Sequence, residues 1–147
     1  MPGFRFAETM SGTWTPADAP EARRRFSFTI EAVADSLARH LRQGGRTRIH
    51  GTVVADGLAD RQPLEGTLTM APLTRRIIRY EFDFTGDDGQ PYRFEGQKDI
   101  RLTALRRSFT ELPGVIRDAA GAEVGTATTQ FDLGADWFQF LTSFRPV

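Results

Sequence analysis

The sequence contains no cysteine among its 147 residues. Disulfide bonds, catalytic thiolates and cysteine-ligated metal sites are therefore excluded. Histidine is scarce as well, and the spacing of His40 and His50 matches none of the usual metal-ligand patterns. The chain also lacks a glycine-rich phosphate loop and a Gly-x-Ser-x-Gly nucleophile elbow. We therefore expect no metal, no nucleotide cofactor of these kinds and no serine-hydrolase triad.

Neither sign of charge predominates, because 19 Lys and Arg residues balance 19 Asp and Glu residues. General nucleic-acid binding and attachment to an anionic membrane surface both depend on a basic excess, so neither is expected. The sequence has no apolar run of about 18 residues, and Met1–Phe6 does not begin a signal-peptide pattern. We expect a cytoplasmic protein without a membrane span.

Aromatic and aliphatic residues alternate with polar ones along most of the chain, which predicts half-buried β-strands. The clearest runs are Ile78–Phe84 and Tyr92–Ile100, with a weaker strand near Arg107–Leu112. Hairpin turns are predicted at Gly86–Gly89 and Asp118–Gly121. About eight strands joined by short loops indicate an antiparallel meander forming a single domain over residues 1–147.

A sheet with one apolar face must bury that face, and closing the sheet on itself also removes its edges. The predicted fold is therefore mainly β, an antiparallel lipocalin-like β-barrel of about eight strands with one or two short helices. The predicted helices are Asp35–Gln43 and a closing segment within Ala135–Phe144. Glycines recur inside the predicted strands at Gly12, Gly51, Gly66, Gly96 and Gly125. We interpret them as positions where a closed sheet bends and coils tightly.

Two charged residues interrupt the apolar stripes. Glu8 lies between Phe6 and Met10 at strand parity, and Lys98, the chain's single lysine, lies between Gly96 and Ile100. Both side chains are predicted to point into the barrel, where a buried charge needs a partner or a shifted pKa. They would face each other or a polar ligand group; alternatively, they sit at the barrel ends and reach water.

Four aromatic residues, Phe82, Phe84, Tyr92 and Phe94, are predicted to line an apolar ligand pocket together with Glu8 and Lys98. The alternative is that the aromatic side chains simply fill the core. If it were exposed, the aromatic segment within Ala135–Phe144 would form an apolar patch that favours association with other proteins. A homodimer or a docked partner is therefore a further expectation.

The segment Phe6-Ala7-Glu8-Thr9-Met10-Ser11-Gly12 resembles the opening of a β-rich domain that accompanies some bacterial glucose–methanol–choline oxidoreductases of the cholesterol-oxidase-like group. The stretch from Asp88 to Lys98 is similar to a second part of that domain. The flavin domain of that group is missing from this sequence. The resemblance therefore implies an accessory role near lipid or sterol chemistry, with a partner oxidoreductase, and not oxidase activity.

The leading functional hypothesis is a module that binds a small apolar molecule such as a lipid, sterol or polyketide-like compound. In it, Lys98 would engage a carboxylate or carbonyl and Glu8 would balance its charge. Two alternatives stay open: a cofactor-free cyclase or isomerase that uses the same cavity, and a structural module that docks a partner.

Overall fold

A computed structural model of the chain describes residues 4–34, 45–72, 74–131 and 145–146. Its strands are β1 (Phe4–Pro16), β2 (Arg24–Ala34), β3 (Gly45–Ala55), β4 (Ala59–Ala71), β5 (Ile77–Thr85), β6 (Pro91–Asp99), β7 (Glu111–Asp118), β8 (Glu123–Gln130) and β9 (Arg145–Pro146). A 3₁₀ turn (Leu102–Ala104) leads into a six-residue helix, α1 (Leu105–Thr110).

The first eight strands form a closed antiparallel β-barrel. Each strand from β1 to β7 pairs with the next one along the chain, and β8 pairs with β1. The predicted antiparallel β-barrel of about eight strands is therefore confirmed. The alternating side chains of these strands bury one continuous apolar core inside the barrel.

The register around the barrel is staggered. β1 pairs with β2 from Phe4 to Trp14, but it pairs with β8 only from Ser11 to Pro16. A stagger of this kind tilts the strands relative to the barrel axis, as closure of an eight-stranded sheet requires. The N-terminal part of β1 instead pairs with β9, through Phe4 and Arg5.

The two ends of the barrel differ. At the turn end, the β5–β6 and β7–β8 hairpins close tightly, with Gly89 and Gly121 at φ values of 79° and 83°. These positive φ values are accessible to glycine and confirm the two predicted turns. The opposite end, here called the loop end, holds the β4–β5 connection and the long β6–β7 connection, residues 100–110. The strand starts of β1, β5 and β7 lie at this loop end.

The recurrent strand glycines occur where neighbouring backbones approach closely. A Cβ atom added to Gly12, Gly51 or Gly66 would lie less than 2 Å from a carbonyl oxygen of the adjacent strand. At Gly96 the same atom would lie 2.8 Å from the ring of Phe94. The glycines therefore permit the tight coiling of the sheet and leave room for large interior rings.

The predicted weak strand near Arg107–Leu112 is wrong except at Glu111 and Leu112, because Leu105–Thr110 is helical and β7 begins at Glu111. Local hydrogen bonds favour the helix here. The Ser108 hydroxyl accepts a bond from the Arg101 amide at 3.0 Å and donates to the Leu105 carbonyl at 3.1 Å. Side chains of this kind compete with strand pairing. The predicted helices at Asp35–Gln43 and Ala135–Phe144 lie outside the described residues.

A charged network covers the outer face of β5, β6 and β7. Arg79 contacts Glu81 at 2.8 Å and Glu95 at 3.2 Å, and Arg117 contacts Glu95 at 3.1 Å. Each exposed pair contributes little alone, but the network links three adjacent strands across their ladders. On their inner faces, β5 and β6 carry residues of the candidate site.

We expect Gly66→Ala to destabilise the protein by about 3 kcal/mol, because the new methyl group overlaps backbone atoms of β5 that cannot move independently. The matched control is Gly89→Ala. It introduces a methyl group into open space and should cost only about 1 kcal/mol through its left-handed backbone. Urea unfolding of both variants measures the difference. Equal losses would contradict the close-approach explanation.

Candidate functional site

The middle of the barrel is filled by phenylalanine rings from three strands. Phe26, Phe28, Phe82 and Phe94 have neighbouring ring centroids 5.0 to 6.1 Å apart, and each is at most 1% exposed. These distances and the tilted or edge-on geometries are those of favourable aromatic packing. Phe82 and Phe94 are therefore part of the packed core, and their role as ligand-binding residues stays a prediction.

The other two predicted aromatic residues lie at the turn end. The rings of Phe84 and Tyr92 stack at 5.7 Å, and the Tyr92 hydroxyl donates a 2.7 Å hydrogen bond to Asp88 in the adjoining hairpin. This bond raises the pKa of Tyr92 to about 12. The structure therefore separates Phe84 and Tyr92 from Glu8 and Lys98, so the six predicted residues do not converge on one point.

Glu8 and Lys98 both lie inside the barrel, as strand parity predicted. The exposed fraction is 8% for Glu8 and 4% for Lys98. Glu8 projects from β1 beside Ile30 of β2, and Lys98 projects from β6 beside Ile78 of β5. The alternative in which both charges extend into water at the barrel ends is therefore wrong.

Tyr80 connects these two charges, and the sequence interpretation did not single it out. Its hydroxyl donates a 2.5 Å hydrogen bond to the Glu8 carboxylate, and its ring centroid lies 5.3 Å from Lys98 Nζ. Tyr80 stands on β5, four strands from β1 in either direction round the barrel. The side chain therefore spans the interior from one wall to the opposite one.

A sequence signal for Tyr80 existed. Tyr80 is the one residue with a hydroxyl in the apolar stripe of β5, and a buried tyrosine hydroxyl normally has a hydrogen-bond partner. Glu8 and Lys98 were the charged groups already predicted to point inward. We refer to Glu8, Tyr80 and Lys98 as the interior polar cluster.

Tyr80 lies between the two charges. Among the described residues, the ion pairs closer than 4 Å lie on the outer surface, and none joins Glu8 to Lys98. The ammonium of Lys98 instead faces the Tyr80 ring within cation–π range. The carboxylate is stabilised by the phenol hydroxyl, which is a charge-assisted hydrogen bond.

Burial changes the acid–base behaviour of the cluster. Removal from water lowers the pKa of Lys98, and the nearby Glu8 carboxylate opposes that effect. Burial raises the pKa of Tyr80 well above its ordinary value, and the charge and hydrogen bond of Glu8 add to the increase. Lys98 therefore has more neutral amine at a given pH than an exposed lysine, and Tyr80 remains a hydrogen-bond donor.

The ladder between β6 and β7 stops short of Lys98. The β6–β7 ladder ends at the Gly96–Gly114 pair, so the part of β6 that carries Lys98 extends beyond it. Outside this point, α1 and the two strands enclose a depression of about 210 Å³, lined by Gln97, Asp99, Arg101, Ala104, Arg107, Ser108, Glu111 and Pro113. Lys98 lies in the chain between the first two of these lining residues.

Several interior side chains toward the loop end are aliphatic. Ile78 precedes Tyr80 on β5, Ile100 follows Lys98 along the chain, and Met70 pairs with Ile78 from β4. All three pack against the core. The interior polar cluster therefore lies between the phenylalanine core and an aliphatic layer. On β8, the buried Thr129 hydroxyl has no hydrogen-bond partner among the described residues.

Metal ligation has no support within the described ranges, which contain no group of three or more His, Asp or Glu residues placed to hold an ion. His50 lies on the outer surface, 3.4 Å from Glu31, and His40 lies outside the described residues. No helix in the part of the chain that the structure describes has the length and apolar character needed to cross a membrane.

Comparison with known proteins supplies no family. A scan against protein-family models, a search of curated proteins and a search of solved structures each found no match to this chain. The resemblance to an oxidoreductase-associated domain therefore stays a prediction. Any function must be argued from the interior polar cluster and its surroundings.

Tyr80→Phe should destabilise the protein by about 2 kcal/mol, because it leaves the buried Glu8 carboxylate without its hydroxyl donor. The matched control is Tyr92→Phe, which removes a hydroxyl bonded to an exposed hairpin carboxylate and should cost much less. Chemical unfolding at pH 7 compares the two variants. A loss for Tyr80→Phe no greater than that for Tyr92→Phe would contradict a strong bond across the barrel.

Proposed function

We propose that the barrel binds a small apolar molecule that carries one carbonyl or carboxylate group, in the manner of a lipocalin-like carrier. The observation that supports this function best is the convergence of Glu8, Tyr80 and Lys98 in the interior, from both walls of the barrel. A few polar groups that converge within an apolar interior, with shifted pKa values, are typical of ligand sites.

The layers of the interior suggest how the ligand lies. The interior polar cluster lies on the loop-end side of the phenylalanine core. The aliphatic layer of Met70, Ile78 and Ile100 lies beyond the cluster, toward the loop end. The polar head of the ligand accepts a hydrogen bond from the Lys98 ammonium, which faces the Tyr80 ring. Its apolar body lies nearer the loop end and takes the place of contacts between the aliphatic side chains there. Burial of the ligand's apolar surface contributes about 25 cal/mol per Å² to the free energy of binding.

The energetics of the cluster also favour a binding role. Buried charges cost free energy unless they are closely paired, and a hydrophobic residue at such a position is often neutral or stabilising. Lys98 is buried with a lowered pKa, and Glu8 relies on a single phenol donor among the contacts described. A ligand oxygen placed at Lys98 Nζ would supply the hydrogen-bond partner that this ammonium needs.

A second candidate function is partner docking. Leu102 and Leu105, on the 3₁₀ turn and α1, are 69% and 49% exposed and are the large exposed aliphatic side chains of the described residues. A docked partner would cover them, and an oxidoreductase is the partner that the sequence resemblance suggests.

The cyclase or isomerase alternative rests on the Glu8–Tyr80 hydrogen bond, which pairs a proton donor with an acceptor.

The test uses two fluorescent probes, cis-parinaric acid with a carboxylate head and N-phenyl-1-naphthylamine without one. Wild-type protein should bind both, and Lys98→Met should weaken the carboxylate probe by about tenfold or more through loss of a charge-assisted contact. The matched control is Arg48→Met, which removes an exposed positive charge from β3. It should leave both affinities within about twofold, well under the tenfold step.

Fluorescence titration with a check of the unfolding midpoint of each variant gives a clear result. Failure of the wild-type protein to bind either probe would contradict the proposed function. Equal weakening by Lys98→Met and Arg48→Met would contradict the placement of the ligand head at Lys98. If Lys98→Met unfolds, Tyr80→Phe serves as the second variant, and it should weaken the carboxylate probe more than the neutral one.

A further inference from the structure

We propose that Lys98 captures an aldehyde or ketone ligand covalently, as a reversible imine formed inside the barrel. This inference rests on the proposed function, because the barrel must first bind the apolar body of the ligand. It goes beyond that function in naming the ligand class, a carbonyl compound, and the bond that retains it. Lysine amines in desolvated sites are the usual nucleophiles for this reaction.

The position of Lys98 suits an imine-forming amine. It is the chain's only lysine, it is almost wholly removed from water, and its Nζ faces the ring of Tyr80 at 5.3 Å. Water is a product of imine formation, so a dry site favours the imine over hydrolysis. The depression outside Gln97 and Asp99, where the β6–β7 ladder has ended, lies beside the same stretch of strand.

The proton balance of the reaction closes with water as the proton acceptor and donor. Starting from the ammonium, Lys98 releases one proton to water, and its free amine attacks the carbonyl carbon. A proton shift from nitrogen to oxygen gives a carbinolamine. One proton from water then returns to the carbinolamine hydroxyl, which leaves as a water molecule. The product is a protonated imine with the original positive charge, and no oxidant or reductant is consumed.

The surroundings of Lys98 favour both the free amine that reacts and the protonated imine that forms. Burial lowers the pKa of Lys98, which raises the fraction of nucleophilic amine near neutral pH. The Glu8 carboxylate, bonded to Tyr80 at 2.5 Å, then serves as the counter-ion of the protonated imine. The adjacent phenylalanine core and aliphatic layer would bury the rest of the carbonyl compound. An exposed lysine has a smaller fraction of neutral amine at the same pH, and it is surrounded by water.

The experiment incubates the folded protein with n-decanal at pH 7 and reduces any imine with sodium cyanoborohydride. Intact mass and peptide mapping then locate the alkylated amine. Wild-type protein should carry one decyl group on Lys98, distinguishable by peptide from the α-amino group of Met1. The double variant Lys98→Met/Arg48→Lys moves the lysine to an exposed position on β3 and should be alkylated at least tenfold more slowly at that lysine.

Two outcomes overturn the inference: no alkylation at Lys98, or alkylation no faster than at the exposed lysine. A parallel measurement separates this failure from failure of the proposed function. If decanal displaces bound cis-parinaric acid but leaves Lys98 unmodified, the barrel binds the apolar compound without covalent capture. If decanal does neither and the probe itself does not bind, both the inference and the proposed function are wrong.

Discussion

The hydrogen bond from Tyr80 to Glu8 joins opposite walls of the barrel through its interior. Because the barrel is closed and tightly coiled, a side chain from β5 can reach β1 directly, and a single phenol spans the lumen. The bond holds the carboxylate at one side of the ring while the Lys98 ammonium lies over the ring at 5.3 Å. The acid–base properties of the site depend on this arrangement, since it keeps both charges out of water without bringing them together.

The same closure determines what else the interior contains. Inward glycines allow neighbouring strands to approach, and the space that they leave is taken by rings such as Phe94, which contacts both Gly96 and Gly114. The core near the turn end is consequently dense and aromatic. The polar cluster lies on the loop-end side of that core, next to the stretch where β6 continues past its ladder with β7. The buried charged groups are thus concentrated in one half of the barrel.

Much of this arrangement follows from strand parity. Alternation placed Glu8 and Lys98 inside the barrel, since a residue that shares parity with buried neighbours must share their side of the sheet. Tyr80 was missed because parity treats it as one more apolar ring, whereas the identity of its hydroxyl partner depends on which strands face each other across the lumen. The distance of Phe84 and Tyr92 from the cluster follows from their position along the barrel axis, which parity does not report. The strand predicted near Arg107–Leu112 was wrong over Arg107–Thr110 because parity does not report local hydrogen bonds such as those of Ser108.

The most direct test measures the ionisation of Lys98. Because the chain has a single lysine, its side-chain NMR signal needs no further assignment. Protein labelled with ¹⁵N at the lysine side chain should give one ammonium-region signal, whose pH dependence can be followed by NMR. If the side chain is desolvated inside the barrel, its titration midpoint lies below the ordinary 10.5, and Glu8→Gln moves it further down because the opposing carboxylate charge is lost. A midpoint at or above 10.5, unchanged by Glu8→Gln, would show that Lys98 is hydrated and that the interior polar cluster does not exist.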